Sequence, residues 1–151
     1  MTNKHIASLF DELANIMEIA GENPFKIRAF RNASKAIVNL DRNVEEMNRE
    51  ELHEIPGIGD AISEKIESAK ESGTFPTLEK WRQSGYAKFY PLLSVSGLTA
   101  REVHKLIKDL SLSFVDELRA QIADGKLENY GKIDSGKLRR LREYLDQNSR
   151  K

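Results

Sequence analysis

The sequence predicts an all-α protein built from two small helical subdomains, and three observations lead to that fold class. Apolar residues recur at three- and four-residue steps in nearly every segment, as on the buried face of an amphipathic helix. No stretch shows the convincing period-two alternation of a half-buried strand. Glycine, proline and asparagine separate the periodic segments and leave only short connections between helices.

The composition limits the size of the core and excludes several function classes. The chain has 151 residues, of which 39% are hydrophobic and 32% charged, enough for one domain or two small ones. It contains no cysteine, which excludes disulfides, cysteine-ligated zinc and thiol chemistry. The amino-terminal stretch has no long apolar run, so we expect neither a signal peptide nor a membrane span. These features favour a cytoplasmic protein, associated with the nucleoid if it is prokaryotic.

Helix boundaries in the first half follow from capping residues. Gly21 ends the first amphipathic helix and Gly73 ends the helix at 60–72, because glycine readily adopts the left-handed conformation that closes a helix. Asn23 and Pro24 begin the next helix, since asparagine caps helices and proline is tolerated at their first position. The helices predicted for this half cover about residues 6–20, 25–40, 44–52, 60–72 and 77–83.

A division into two subdomains is predicted close to residue 85. Residues 85–91 are interpreted as a joint, so that the first domain covers residues 1–85 and the second covers residues 86–151. The second domain is expected to end in a basic helix. Its predicted helices lie around residues 103–110, 114–122 and 135–145.

Basic side chains concentrate on two helix faces, although the net charge of the chain is zero and any DNA-binding surface must be local. Each patch would neutralise only a few phosphates, so we expect modest, salt-sensitive binding. A plain solvated helix face is an equal alternative for the second patch. The two patches are Lys26, Arg28, Arg31 and Lys35, and Lys132, Lys137, Arg139, Arg140 and Arg142.

The stretch IPGIGDAISEKI, residues 55–66, has the pattern of a tight turn between two helices. Gly57 can take a positive φ and turn the chain, and Ile58 would point inward and hold the turn. Gly59 leaves no side chain over the start of the next helix, where unpaired N–H groups meet the positive end of the helix dipole. Such a hairpin can bind a phosphate, and an ordinary helix–helix turn is the alternative.

A second copy of this turn, LLSVSGLTAREVHKLI, occupies residues 92–107, and residues 127–141 form a blurred third copy. Gly97 and Leu98 match the first hairpin, but Thr99 replaces its second glycine. Threonine can cap the following helix, although its side chain would obstruct a phosphate. We treat these three residues as candidate DNA contacts.

Three stretches, GENPFKIRAFRNASKAI, IPGIGDAISEKI and SGTFPTLEKW, together resemble the amino-terminal region of X-family (DNA polymerase beta-like) DNA polymerases. The hairpin itself is similar to the helix-hairpin-helix motif of DNA repair proteins. The similarity covers about residues 6–124, with the same order of elements. It implies binding to the 5′-phosphate side of a gap in DNA and, as in some members, removal of a 5′-deoxyribose phosphate through a lysine Schiff base and β-elimination.

The resemblance assigns roles to individual residues. Lys65 matches the Schiff-base lysine and is the candidate catalytic residue, with a solvated lysine paired to Glu64 or Glu67 as the alternative. Lys26 matches a phosphate-binding lysine, and Phe25 stands where an aromatic residue or histidine stacks on a base.

Three positions depart from the family pattern. Phe30 stands in place of a tyrosine, while Ala61 and His53 stand in place of lysines, so we expect weaker phosphate binding. The resemblance also implies a monovalent cation, Na⁺ or K⁺, and no other cofactor. Its ligands would be backbone carbonyls of His53, Ile55 and Ile58 in the first hairpin, and of Leu93, Val95 and Leu98 in the second.

The sequence therefore predicts a DNA-binding module without sequence preference that recognises gaps, nicks or 5′-phosphorylated ends. A repair protein is a further candidate partner, and a membrane is not. Polymerase activity is not expected, because no Asp-x-Asp metal pair and no Gly-Ser nucleotide-binding turn appears. The alternatives are a stand-alone lyase, a protein-interaction adaptor that has lost DNA binding, and a segment of a full polymerase.

Overall fold

The computed structural model describes residues 1–125 and 127–148, and every regular element in those residues is helical. The all-α prediction is confirmed. Within these residues, no helix has both the length and the apolar character needed to cross a membrane. The α-helices, labelled α1 to α9 in chain order, are Asn3–Ala20, Pro24–Val38, Arg49–His53, Asp60–Ser72, Pro76–Arg82, Leu92–Ser96, Ala100–Asp109, Val115–Ala123 and Ser135–Asn148.

The chain divides into two compact units, Met1–Ser84 and Gly85–Lys151. Residue 126 and residues 149–151, which the sequence assigns to the second domain, lie outside the described residues. The predicted joint at 85–91 is largely a 3-10 helix, Gly85–Phe89, that belongs to the second unit. Phe89 is only 2% exposed, so its burial fixes this segment within the unit's core.

Helix α1 forms the centre of the first unit and packs against α2 and α5. Its apolar face includes Phe10 and Leu13, both fully buried. The Phe10 ring stacks on Phe75 at 5.2 Å between centroids and on Phe30 at 6.2 Å. Because aromatic pairs add about 0.5–1.5 kcal/mol beyond their area burial, this trio ties α2 and the start of α5 to α1.

The capping predictions are confirmed in the first unit. Gly21 closes α1 with φ 78°, and Gly73 closes α4 with φ 81°. The Asn23 side chain accepts a hydrogen bond from the Phe25 N–H at 2.8 Å, and Pro24 is the first residue of α2. These residues fix where α2 begins and where α4 ends, and both helices carry candidate site residues.

The predicted acidic helix at 44–52 is wrong as one element. A 3-10 turn, Val44–Glu46, is followed by an extended Met47 with φ −92° and ψ 140°. Asn48 then starts α3 with a reciprocal pair of hydrogen bonds to Glu51. This capping box supplies a new helix start in mid-segment, which is why the helix does not run through.

The second unit has a smaller core, formed where α9 packs on α6 and α8. Leu141 and Leu145 of α9 are buried as predicted, while Leu138 is only half-buried. Phe114, which the periodicity placed inside a helix, instead precedes α8 as its extended N-cap residue. Its side chain is 66% exposed because it lies outside the helical register of Leu118.

Candidate nucleic-acid interface

The first hairpin joins α3 to α4 through Ile55 to Gly59. The N–H of Ile58 donates to the carbonyl of Ile55 at 3.0 Å, which closes the turn. Both isoleucines are buried, at 3% and 8% exposure, and hold the turn against the core. Gly57 has φ 90°, a conformation that favours glycine, so the protein's own backbone requires a glycine here.

Gly59 differs from Gly57, because nothing within the described protein requires it to be glycine. Its backbone is extended, with φ −97° and ψ −164°, which any residue adopts. A Cβ atom at this position would meet no atom within 4 Å. Among the described residues, no side chain caps the start of α4, so its first amides lack a capping partner. The geometry is suited to close approach by an external acceptor.

A histidine–aspartate pair stands at the edge of this hairpin. The Nε2 atom of His53 lies 2.8 Å from the carboxylate of Asp60, the first residue of α4. The Asp60 side chain is 85% exposed, and an exposed pair of this kind contributes little to stability. The imidazole of His53, a predicted DNA contact, is therefore paired with a carboxylate that lies largely in solvent.

A cleft of about 550 Å³ lies in the first unit and collects three lysines from three different helices. Lys26 comes from α2, Lys65 from α4 and Lys80 from α5. Glu22 contributes a carboxylate to the same lining. The remaining lining residues are apolar, aromatic or small, and they are Met17, Phe30, Pro76, Thr77 and Trp81.

Lys65 is held over an aromatic ring. Its Nζ atom lies 5.7 Å from the centroid of Phe30, a cation–π distance. Glu67, one of its expected partners, instead bonds to Lys70 at 3.2 Å. In the part of the chain that the structure describes, Lys65 has no ion pair with either Glu64 or Glu67.

The basic flank of α2 is not a single surface. The Phe25 ring is 76% exposed, with the guanidinium of Arg28 at 6.0 Å from its centroid. Arg31 turns toward α1, where it bonds to Asn15 and Glu18. Lys35 lines a separate groove of about 300 Å³ that does not include Lys26. Only part of the predicted patch therefore faces the cleft.

The second hairpin is closed by side chains of its own unit. Gly97 turns the chain with φ 79°, and Thr99 caps α7. The Thr99 hydroxyl accepts from the Glu102 N–H at 3.1 Å, while the Thr99 N–H donates to the Glu102 carboxylate at 3.0 Å. Lys137 of α9 donates to the same carboxylate at 2.9 Å. A carboxylate thus occupies the side of this hairpin where a phosphate would bind.

The basic face of α9 is partly bonded within its own unit. Arg140 Nε donates to the carbonyl of Ser96 at 3.1 Å, beside the second hairpin. A Cβ on Gly97 would come within 3.4 Å of the Arg140 guanidinium. Lys132 pairs with Asp109 at 2.8 Å. Of the second basic patch, Lys132, which precedes α9, and Lys137 are therefore paired with carboxylates, while Arg140 is bonded to a neutral carbonyl.

Among the described residues, no group of three or more histidine, aspartate or glutamate side chains is placed to hold a metal ion. The carbonyl of Ile55, one of the expected ligands of a monovalent cation, already accepts a hydrogen bond from Ile58. A carbonyl oxygen has a second lone pair, so this bond leaves room for one ligand interaction.

Sequence reasoning missed two residues of the cleft, Lys80 and Trp81 of α5. They lie outside the hairpin motif, and only the tertiary packing of α5 on α1 brings them to Lys65. One local signal was present. The positions three and four residues from Lys80 hold no acidic side chain, so α5 offers this lysine no partner of its own.

Comparisons with known proteins agree with this geometry. Residues 1–75 match the family described as a helix-hairpin-helix domain. The chain is 30% identical over 141 residues to the DNA polymerase/3′-5′ exonuclease PolX of Bacillus subtilis (strain 168). That alignment covers 91% of this chain and 24% of the Bacillus protein, in its amino-terminal part. The chain therefore spans about a quarter of the length of this relative.

Proposed function

Because residues 1–75 belong to the helix-hairpin-helix domain family and the chain is related to the amino-terminal part of X-family polymerases, we propose that it binds DNA without sequence preference. The DNA ligand is held by its backbone at a gap, a nick or a 5′-phosphorylated end. The setting is DNA repair, in the cytoplasm and, in a prokaryote, at the nucleoid. A repair protein is a further partner.

Gly59 is the observation that carries this proposal. Its backbone is extended and its surroundings are clear, so the reason for a glycine lies outside the described protein. A phosphate that accepts hydrogen bonds from the first amides of α4 would need this clearance. The lysine cleft supplies positive charge within the same unit.

Binding to gapped DNA with and without a 5′-phosphate, across a salt series, tests the proposal. We expect wild-type binding to weaken steeply with salt and to be tighter when the 5′-phosphate is present. Gly59→Ala should lose about tenfold in affinity, because the methyl group stands where the phosphate approaches. Gly85→Ala is the matched control, since Gly85 also has clear surroundings and no positive φ.

An unchanged affinity in Gly59→Ala would contradict phosphate binding at the first hairpin. Equal affinity for gapped DNA with and without the 5′-phosphate would contradict recognition of the 5′-phosphate. Absence of binding even at low salt would favour the third function considered, a protein-interaction adaptor. The closed second hairpin is the observation that favours that alternative.

A second candidate function is a 5′-deoxyribose-phosphate lyase, and the environment of Lys65 favours it. The amine lines a cleft with two other lysines and has no carboxylate partner in the described residues. In such a reaction the amine would condense with the sugar aldehyde to an imine and release water. Loss of a proton from C2′ would then break the C3′–O bond and leave a 5′-phosphate on the downstream DNA. Borohydride trapping on an abasic 5′ end should yield an adduct with wild type and none with Lys65→Ala. No adduct with wild type would exclude the lyase.

A further inference from the structure

The third cation of the cleft comes from an unexpected helix. The expected position on α4 holds Ala61, which has no charge to offer, yet the cleft still contains three lysines. Lys80 of α5 supplies the third lysine. It follows the first hairpin in the sequence, whereas Lys26 precedes it. We infer that Lys80 is a phosphate ligand of this cleft and takes the place of a cation that α4 lacks.

The charge of Lys80 is available to a ligand. Its helical neighbours at three and four positions are Pro76, Thr77, Gln83 and Ser84, none of which is acidic. Glu79, the adjacent acid, is occupied by Thr74 at 2.7 Å and by Arg82 at 2.9 Å. Lys80 itself is exposed and forms no ion pair within the residues that the structure describes.

The backbone that carries Lys80 is fixed in place. Arg82 makes two hydrogen bonds to Glu12 of α1, at 2.7 Å and 2.8 Å. Leu78 is fully buried beneath the same helix, and Trp81 packs against the core of the unit. A lysine on an anchored helix has a restricted range for its ammonium group, which favours a defined anion position over a diffuse charge.

The electrostatic situation in the cleft supports an anionic ligand. Lys26, Lys65 and Lys80 place three positive charges around about 550 Å³, against one carboxylate from Glu22. Like charges repel, so an anion that bridges these ammonium groups would be stabilised by all three. A terminal 5′-phosphate carries more negative charge than an internal phosphodiester and gains most from such a cluster.

This inference rests on the proposed function, because it names a residue that reads the 5′-phosphate. The experiment compares binding to gapped DNA with a 5′-phosphate and with a 5′-hydroxyl. Lys80→Ala should reduce the preference for the phosphate about tenfold, the scale of one charge-assisted hydrogen bond, while Lys80→Arg should retain most of it. Lys4→Ala is the control, since Lys4 is an exposed lysine of the same unit that does not line the cleft.

The two proposals fail in different ways. If wild type shows the phosphate preference, Gly59→Ala loses DNA affinity and Lys80→Ala keeps the preference, the role of Lys80 is overturned and the proposed function stands. An equal loss in Lys4→Ala and Lys80→Ala would also overturn it, because the effect would then be one of general charge. If wild type binds gapped DNA without a phosphate preference, the role of Lys80 is overturned and backbone binding at the gap stands; if wild type does not bind gapped DNA at all, both proposals are overturned. Thermal unfolding of each variant confirms that the fold is intact.

Discussion

The two hairpins of this chain share a turn and differ in what surrounds it. In each, a glycine with positive φ is followed by a buried apolar residue, Ile58 in one and Leu98 in the other. The next residue separates them. Gly59 leaves the start of α4 uncapped, whereas Thr99 caps α7 and recruits Glu102 into a capping box. In the described residues, the first hairpin leaves the start of α4 without a side-chain cap, and the second has a carboxylate of its own at the equivalent position.

The difference shows that a repeated motif need not be a repeated binding site. The turn is maintained by a positive-φ glycine and a buried apolar residue, and both hairpins satisfy those requirements. Anion binding depends on a further residue and on what the neighbouring helices bring. In the second unit, Arg140 and Lys137 of α9 bond directly to the hairpin carbonyl and to its capping carboxylate. Both cations are therefore already bonded within their own unit.

The largest expected effect comes from the residue that both hairpins require. Gly57→Val places a β-branched side chain at φ 90°, which costs about 1–3 kcal/mol in backbone strain. We expect a lower thermal midpoint and loss of binding to gapped DNA. Gly97→Val should destabilise the second unit comparably, because its φ is 79° and Arg140 stands against it, but should leave DNA affinity unchanged.

The measurements are thermal unfolding and DNA binding on both variants. If Gly97→Val loses as much DNA affinity as Gly57→Val, the two hairpins do not differ in their contribution to DNA binding. An undiminished thermal midpoint in Gly57→Val would show that the turn tolerates a conformational change.

Features that depend on local chemistry were accessible from the sequence. Asn23 and Gly73 act within one helical turn of their own position, and the structure confirms both caps. The same holds for Thr99, whose capping role needs only a residue three positions later. The position of Lys80 in the cleft with Lys65, and the bond from Arg140 to the Ser96 carbonyl, could not be predicted. Each arises only when helices that are distant in the sequence pack together. Lys65 and Ser96 lie far from Lys80 and Arg140 in the sequence, and no periodic pattern of residues predicts such contacts.

The second prediction converts the open hairpin toward the closed one. Gly59→Thr introduces a hydroxyl that can cap α4 as Thr99 caps α7, and its extended backbone accepts threonine without strain. We expect DNA affinity to fall by about tenfold, equivalent to roughly 1.4 kcal/mol, with stability unchanged or slightly increased. Binding isotherms and thermal unfolding measure the two effects separately.

The residue three positions after Gly59 limits this conversion. Ile62 occupies the place that Glu102 holds in the second hairpin, and it is buried at 8% exposure. A full capping box therefore cannot form in the first hairpin. If Gly59→Thr binds gapped DNA like wild type, the amides of α4 are not the phosphate ligands and the contrast between the hairpins has another cause.

The third prediction opens the closed hairpin. Thr99→Ala removes the hydroxyl that accepts from the Glu102 N–H and should destabilise the second unit by about 1 kcal/mol. DNA affinity should not rise, because the Glu102 carboxylate still accepts hydrogen bonds from the backbone N–H of residue 99 and from the Lys137 ammonium. Thermal unfolding and binding to gapped DNA check both parts. A gain in affinity would show that the hydroxyl alone blocks the second hairpin.

The smallest expected effect is a pH dependence that belongs to the second hairpin. Burial would raise the pKa of the Glu102 carboxyl, but hydrogen bonds from the Thr99 N–H and the Lys137 ammonium outweigh it, so the pKa lies below its usual value of 4.5. A lowered pKa in the folded state means that the carboxylate stabilises the fold above about pH 4.5 and that this contribution is lost as pH falls through the folded pKa.

Glu102→Gln should therefore be less stable than wild type at neutral pH and approach wild-type stability in acid, because glutamine resembles the protonated carboxyl. Thermal midpoints measured from pH 7 down to about pH 3 follow the difference, which should narrow as wild-type Glu102 takes up its proton. Glu143→Gln on the exposed face of α9 is the control, and its difference from wild type should stay small throughout. A constant gap between Glu102→Gln and wild type would mean that the carboxylate does not hold the hairpin by its charge. Among the described residues, the start of α4 has no such carboxylate in a capping box, so the first hairpin should not contribute an acid sensitivity of this kind.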